Sequence, residues 1–270
     1  MREHNPSSHL SDDFLSRMIA ELDDDTTQAI ILHGSYVRGD ALLPFSDVDL
    51  VRILQESITQ EESKRFVYRD GYLLSISSRP LSAYRKRFLQ PERAIFAILG
   101  VREARILLDK QGEFQKFQRE AWQWRWEPLQ GAANAYASQM MVEQTEIVLK
   151  LLRALALHDS VALSEMIMDL FAAVTDAVAV QRGVLVRSGN TYFHQVQEAV
   201  GQQSGWTHSH LRIAGVTVPP LSLRERGKEA LSLYKETAQL LKPVLCADHR
   251  DAIEQTIQTM EHLLSEEEVC

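Results

Sequence analysis

Between His33 and Leu50 the chain reads His-Gly-Ser-Tyr-Val-Arg-Gly-Asp-Ala-Leu-Leu-Pro-Phe-Ser-Asp-Val-Asp-Leu, which sets a Gly-Ser turn at one strand end ahead of an Asp-x-Asp on the next strand. Side chains alternate across a strand, so Asp47 and Asp49 project to one side while Val48 and Leu50 pack into the core. Two converging carboxylates repel, which raises one pKa and lowers stability unless a cation neutralises them. Mg²⁺ fits that need, because it binds one or two carboxylates together with phosphate oxygens and water. Gly34 lets a phosphate approach the backbone with no Cβ in the way. The residues after it begin a short helix whose N–H groups and positive end favour an anion. Ser35 adds a hydroxyl donor, and Arg38, one turn on, either meets the phosphates or pairs with Asp40. A lone Gly-Ser is a turn and a lone Asp-x-Asp is a strand edge or a cap; the two together, in this order, point to metal-assisted chemistry on a phosphate-bearing ligand.

These residues need elements to hold them. Apolar positions at helical spacing (Phe14, Met18, Ile19, Leu22) after Ser11 predict a first helix, and the run from Gln28 to Leu32 predicts a buried strand ending at Gly34. A second strand is expected over Asp47–Leu54 and a hairpin about Asp70-Gly71, with Phe66–Arg69 entering and Tyr72–Ser77 leaving. Helices over Leu81–Phe88 and Glu92–Leu99, a strand over Ala104–Leu108 and a helix through Trp122 complete an α/β domain with a mixed sheet, assigned to residues 1–126. From residue 127 onward the periods are helical: Leu129–Leu157, Val161–Arg182, Thr191–Val200, Leu223–Leu241 and Asp248–Leu264. This predicts an all-α bundle over 127–270. The stretch Gly201–Pro220, with three Gly and the Pro219-Pro220 pair, reads as a connecting loop.

Composition narrows the function classes. The 270 residues are 45% hydrophobic, as in globular rather than disordered chains. Two cysteines, Cys246 and Cys270, cannot build a disulfide framework or a paired-Cys zinc site, which fits a reducing cytoplasm. The N-terminus, Met1 to Pro6, is polar, and no apolar run is long enough to cross a bilayer, so neither export nor a membrane partner is expected. A formal charge of −8 works against bulk nucleic-acid binding and suits a cationic small substrate.

The Gly34–Leu50 segment resembles the signature of the polymerase-β-like nucleotidyltransferases, and within them the chain is most similar to the kanamycin nucleotidyltransferase group of aminoglycoside-modifying, antibiotic-resistance enzymes. Pro91–Leu108 followed by Gln111-Gly-Glu-Phe, then Val142–Arg153, then Ala177–Val200, occur in that group's order and approximate spacing. The resemblance implies transfer of a nucleoside monophosphate from a nucleoside triphosphate, ATP or another, to an acceptor hydroxyl with release of pyrophosphate. It implies Asp47 and Asp49 as catalytic Mg²⁺ ligands and Gly34 and Ser35 as holders of the β and γ phosphates. The family commonly places a third acid on the following strand, where this chain has Ser75 or Ser77, neither able to act as a base at neutral pH. In the kanamycin group a helix glutamate is the base and a lysine one turn later reaches the phosphates; Glu146 and Lys150 have that spacing here. Glu143 and Asp70 are alternative bases, and a surface salt bridge is the ordinary use of a Glu/Lys pair. The same resemblance implies a homodimer in which this helix faces the partner's site. Rival functions are nucleotidylylation of a protein or tRNA, and a non-catalytic nucleotide sensor.

Other features have ordinary structural uses. His33 is expected to be structural. Trp122, Trp124 and Trp126 suit a hydrophobic junction between domains better than a substrate-stacking wall. Arg79, Arg85, Lys86 and Arg87 read as a solvated helix face, and Arg182, Arg187, Asn190 and Tyr192 flank a helix break that could line a nucleotide pocket.

Overall fold

A computed structural model describes residues 9–55 and 63–267; Met1 to Pro6 and Cys270 lie outside the described residues. The chain divides into two compact units, one running through Arg125 and including Leu185–Gly189, the other comprising Trp126–Val184 and the residues from Asn190 on.

The first unit is a mixed five-stranded sheet with flanking helices. Its strands are β1 (Thr27–His33), β2 (Val48–Leu54), β3 (Ser63–Arg69), β4 (Tyr72–Pro80) and β5 (Arg105–Asp109), in the order β3-β4-β2-β1-β5. Only β2 and β4 run parallel. Helix α1 (Asp12–Leu22) starts where the Ser11 hydroxyl accepts a hydrogen bond from the Phe14 amide, and it buries Phe14, Leu15, Met18 and Leu22. These meet Ile30, Leu32, Val48, Leu50, Leu74 and Ile76, every second residue of three adjacent strands, as a half-turn alternation per residue requires. Positions of opposite parity, among them Asp49, Ser75 and Ser77, face the other side, against α3 (Leu81–Arg87) and α4 (Pro91–Arg102). Helix α2 (Ser35–Arg38) is a single turn between β1 and β2, and α5 (Glu113–Gln123) follows β5.

The second unit is helical, as the periodicity predicts. Its long members are α6 (Gln130–Ala156), α7 (Ser160–Gln181), α10 (Leu223–Leu241) and α11 (Ala247–Glu267), with α8 (Tyr192–Val200) and α9 (Gly205–Ile213) shorter. Asp159 caps α7 by accepting from the Val161 and Ala162 amides, and Ser222 with Glu225 forms a reciprocal capping box on α10. The expected loop over Gly201–Pro220 is corrected by α9. The Ser204 hydroxyl accepts from the Thr207 amide, and Trp206, His210 and Ile213 at i, i+4 and i+7 are buried. The extended connection is thereby shortened to the residues between Gly215 and the Ser222 cap, where the two prolines lie.

Candidate active site

The site is assembled on the β1–α2–β2 segment. β1 ends at His33, which pairs across the ladder with Asp49. Gly34 then adopts φ 79°, and its carbonyl accepts from the Val37 and Arg38 amides, closing one helical turn that Gly39 ends in the left-handed conformation. A Cβ at Gly34 would stand 2.5 Å from Asp49 Oδ2, so the turn is in direct contact with the carboxylate and only glycine fits. Asp47 immediately precedes β2 and Asp49 is its second residue. The structure thus brings Gly34, Ser35, Asp47 and Asp49 onto one short segment.

Its electrostatics stem from burial. Desolvation, and then the charge of Asp47, push the Asp49 carboxyl up to about 6, against the opposing pull of a hydrogen bond from Ser75 and the charges of Lys64 and Arg38. Two hard carboxylates in this state are a donor set that a divalent cation stabilises. Tyr36, which the sequence pattern does not single out, adds to the fit. Its ring packs edge-on to Tyr72, while its buried hydroxyl has no hydrogen-bond partner among the described residues. Burial, then Tyr72 and Asp47, raise its pKa. Its position as an aromatic one residue into α2 is the signal that could have found it. Among the described residues no cluster of three or more His, Cys, Asp or Glu forms a metal site, so a cation here would take its remaining ligands from phosphate and water.

Of the two serines expected where the family commonly has a third acid, Ser75 lies opposite Asp49 in the parallel β2–β4 register and Ser77 opposite Val51. Asp70 sits at the hairpin tip with φ 51° and its carboxylate accepts from Arg17 at 2.7 Å. The Arg38 guanidinium donates to Asp40 at 3.1 Å, one of the two uses expected for it. On α6, Glu146 and Lys150 form an exposed ion pair at 2.7 Å that lowers the Glu146 pKa. Glu143 accepts from Gln139.

Beside Asp49 opens a pocket of about 310 Å³ between β4 and helices α3 and α4. His33 lines it and is held at about 4, by burial first and then by the positive charges of Arg79, Arg38 and Lys64. The expected solvated basic face is therefore corrected. Arg79 and Arg87 line this pocket, whereas Arg85 pairs with Glu120 and Lys86 is exposed. The three tryptophans part ways: Trp122 is exposed with Arg102 over its ring, Trp124 packs on Phe88, and Trp126 lies against Gly183. Arg187 pairs with Glu103, and Tyr192 donates to Asp176.

No curated protein sequence matches the chain. Among solved structures it is similar to a nucleotidyltransferase-like protein from Exiguobacterium sibiricum 255-15, at 12% identity and a TM-score of 0.48, over 84% of this chain and 73% of that one. Residues 15–99, which carry the Gly34 turn, both aspartates and Ser75, match the family model of the nucleotidyltransferase domain.

Proposed function

We propose that the chain transfers a nucleoside monophosphate, AMP from ATP, to a hydroxyl of a small molecule and releases pyrophosphate. The single observation that carries this is the contact of the Gly34 turn with Asp49, next but one to Asp47, inside a segment that matches a nucleotidyltransferase domain.

In this reading Asp47 and Asp49 hold Mg²⁺. The ion, when bound, neutralises the triphosphate and polarises the phosphorus under attack. Gly34 presents its backbone to the β and γ phosphates without steric obstruction, and Ser35 donates its hydroxyl to them. The acceptor oxygen forms a bond to the α-phosphorus as the bond to the α,β-bridging oxygen breaks. The electron pair leaves with pyrophosphate, and the acceptor proton passes to a carboxylate, for which Glu146 is the proposed base. The hydrogen bond and charge of Lys150 lower the Glu146 pKa, so it is ionised at neutral pH, and release of Lys150 to the phosphates would raise its basicity. Lys150 is the proposed phosphate contact, and a homodimer the proposed assembly.

The test is pyrophosphate release from Mg²⁺-ATP and the other triphosphates with a panel of hydroxyl compounds, native protein against Asp47→Asn/Asp49→Asn. Acceptor-dependent release that disappears in the double variant is expected. Tight Mg²⁺-ATP binding with no release for any acceptor would instead favour the sensor reading, which the serines where the family commonly has a third acid motivate.

A further inference from the structure

The pocket beside Asp49 has the wrong charge for the cationic acceptor that the net charge of −8 suggests. Among the described residues its wall carries Lys64 from β3, Arg79 from β4, Arg87 from α3 and Arg93 from α4, against two carboxylates, Glu92 and Asp49 itself. Four elements each contribute one cation to a single concavity, which a solvated face of one helix would not do. Arg79 is set in place by the ring of Tyr84, with the guanidinium carbon 5.3 Å from the ring centre. Low-dielectric walls concentrate the field of these cations, so the pocket attracts anions although the molecule as a whole repels them.

In the transferase reading this concavity is distinct from the turn that holds the triphosphate. Of the Gly-Ser turn and the Asp-x-Asp, only Asp49 reaches its wall; Gly34, Ser35, Arg38 and Asp47 do not line it. An occupant would therefore adjoin Asp49, the proposed metal ligand, without meeting the turn, a place open to an acceptor. A volume of about 310 Å³ suits a sugar-sized molecule. We infer that the acceptor hydroxyl belongs to a small molecule bearing a phosphate or carboxylate, bound through Lys64, Arg79, Arg87 and Arg93. Ser75 and Ser77 on the pocket floor offer hydroxyls to its neutral part. That the occupant is an acceptor rests on the transferase reading; the anion site itself does not.

The experiment is calorimetric titration of the full chain, loaded with Mg²⁺ and α,β-methylene-ATP, with four hexoses that share a skeleton and differ in charge: glucose, glucosamine, glucuronate and glucose 6-phosphate. The expected result is that glucuronate or glucose 6-phosphate binds at least about tenfold more tightly than glucose and glucosamine, the stronger of the two telling carboxylate from phosphate. Arg79→Gln weakens the anion about tenfold, and Lys64→Gln and Arg93→Gln, both at exposed side chains and so safe for folding, about threefold each. Tighter binding of glucosamine, equal binding of all four, or displacement of the anion by the nucleotide analogue overturns the inference. Failure of the analogue itself to bind sinks the transferase reading instead, and the same titrations on the unloaded chain then judge the anion site alone.

Discussion

Asp49 Oδ2 lies where a side chain at Gly34 would have to go, 2.5 Å from the position of its Cβ. Gly34→Ala therefore combines two penalties: backbone strain at φ 79° and ψ −154°, a region essentially reserved for glycine and worth about 1–3 kcal/mol, and displacement of the carboxylate. Gly39→Ala is the control for a positive φ alone, since φ is 76° there and nothing lies within 4 Å of its Cβ. Both substitutions are expected to lower stability in urea unfolding, Gly34→Ala by more. Only Gly34→Ala should lower pyrophosphate release, by about a hundredfold or more. Equal losses of activity would show that the turn matters for folding alone.

Asp49 also makes the site a source of instability until a cation arrives. Its carboxyl is raised from 3.8 to about 6, so the folded state holds its proton longer than the unfolded state as pH rises. The linkage gives a stability that falls between about pH 4 and pH 6 and stays low above that. With its partial exposure discounted, the cost is about 1–2 kcal/mol in the absence of metal. Asp49→Asn should thus stabilise the metal-free protein by that amount at pH 7.5 and by nothing at pH 4. Millimolar Mg²⁺ should raise the melting temperature of the native chain and not of the variant. A variant less stable than native at pH 7.5 without metal would mean that Lys64 and Arg38 already compensate the charge.

Much of this arrangement is legible in the sequence, and the part that is not has physical reasons. The apolar runs of β1 and β2 and the Asp70-Gly71 hairpin are local signals, and so is the Gly34–Asp49 segment, where chemistry and turn lie in one stretch of chain. Helix α9 escaped because its buried face uses Trp206, His210 and Ile213 among Ser, Thr and His, and an aromatic histidine packed on tryptophan does not register as apolar. The anion pocket escaped for a different reason. Its four cations come from four elements, and only the folding of α3 and α4 over β4 collects them. Arg79 and Arg85 look alike in the sequence, yet one stands over Tyr84 in the pocket and the other is bound to Glu120.

His210 makes the helical unit sensitive to acid. The Thr175 hydroxyl gives its proton to the Phe171 carbonyl, so it accepts from His210 Nε2, and His210 Nδ1 in turn accepts from the Gln197 amide. This network suits the neutral ring only, and burial holds the pKa down to about 4. The unfolded chain takes up the proton near pH 6.5, so the associated stability is complete above that value and is lost as pH falls toward 4. About 2 kcal/mol should be lost between pH 7 and pH 5 through this group. His210→Phe, which keeps the stacking on Trp206 but cannot titrate, should lose about that much less over the same interval in urea unfolding followed by circular dichroism. An unchanged pH slope would place the acid sensitivity elsewhere.

The proposed base can be separated from a surface ion pair by complementation. Glu146 and Lys150 are exposed and paired, as any helix Glu/Lys couple at i, i+4 would be, and such a pair can be lost with little effect on folding. If Glu146 accepts the acceptor proton, Glu146→Gln should lower turnover by about a hundredfold or more with nucleotide affinity and thermal stability nearly unchanged. In the proposed homodimer this helix would face the partner's site, which adds a sharper expectation. Asp49→Asn and Glu146→Gln chains, each inactive alone, should recover up to about a quarter of native activity when mixed and allowed to exchange subunits, because half of the dimers are hybrids with one intact site of two. Recovery establishes both the base and the composite site. Loss of activity in Glu146→Gln without recovery on mixing keeps the base but confines it to its own chain, and full activity in Glu146→Gln returns the pair to an ordinary surface contact.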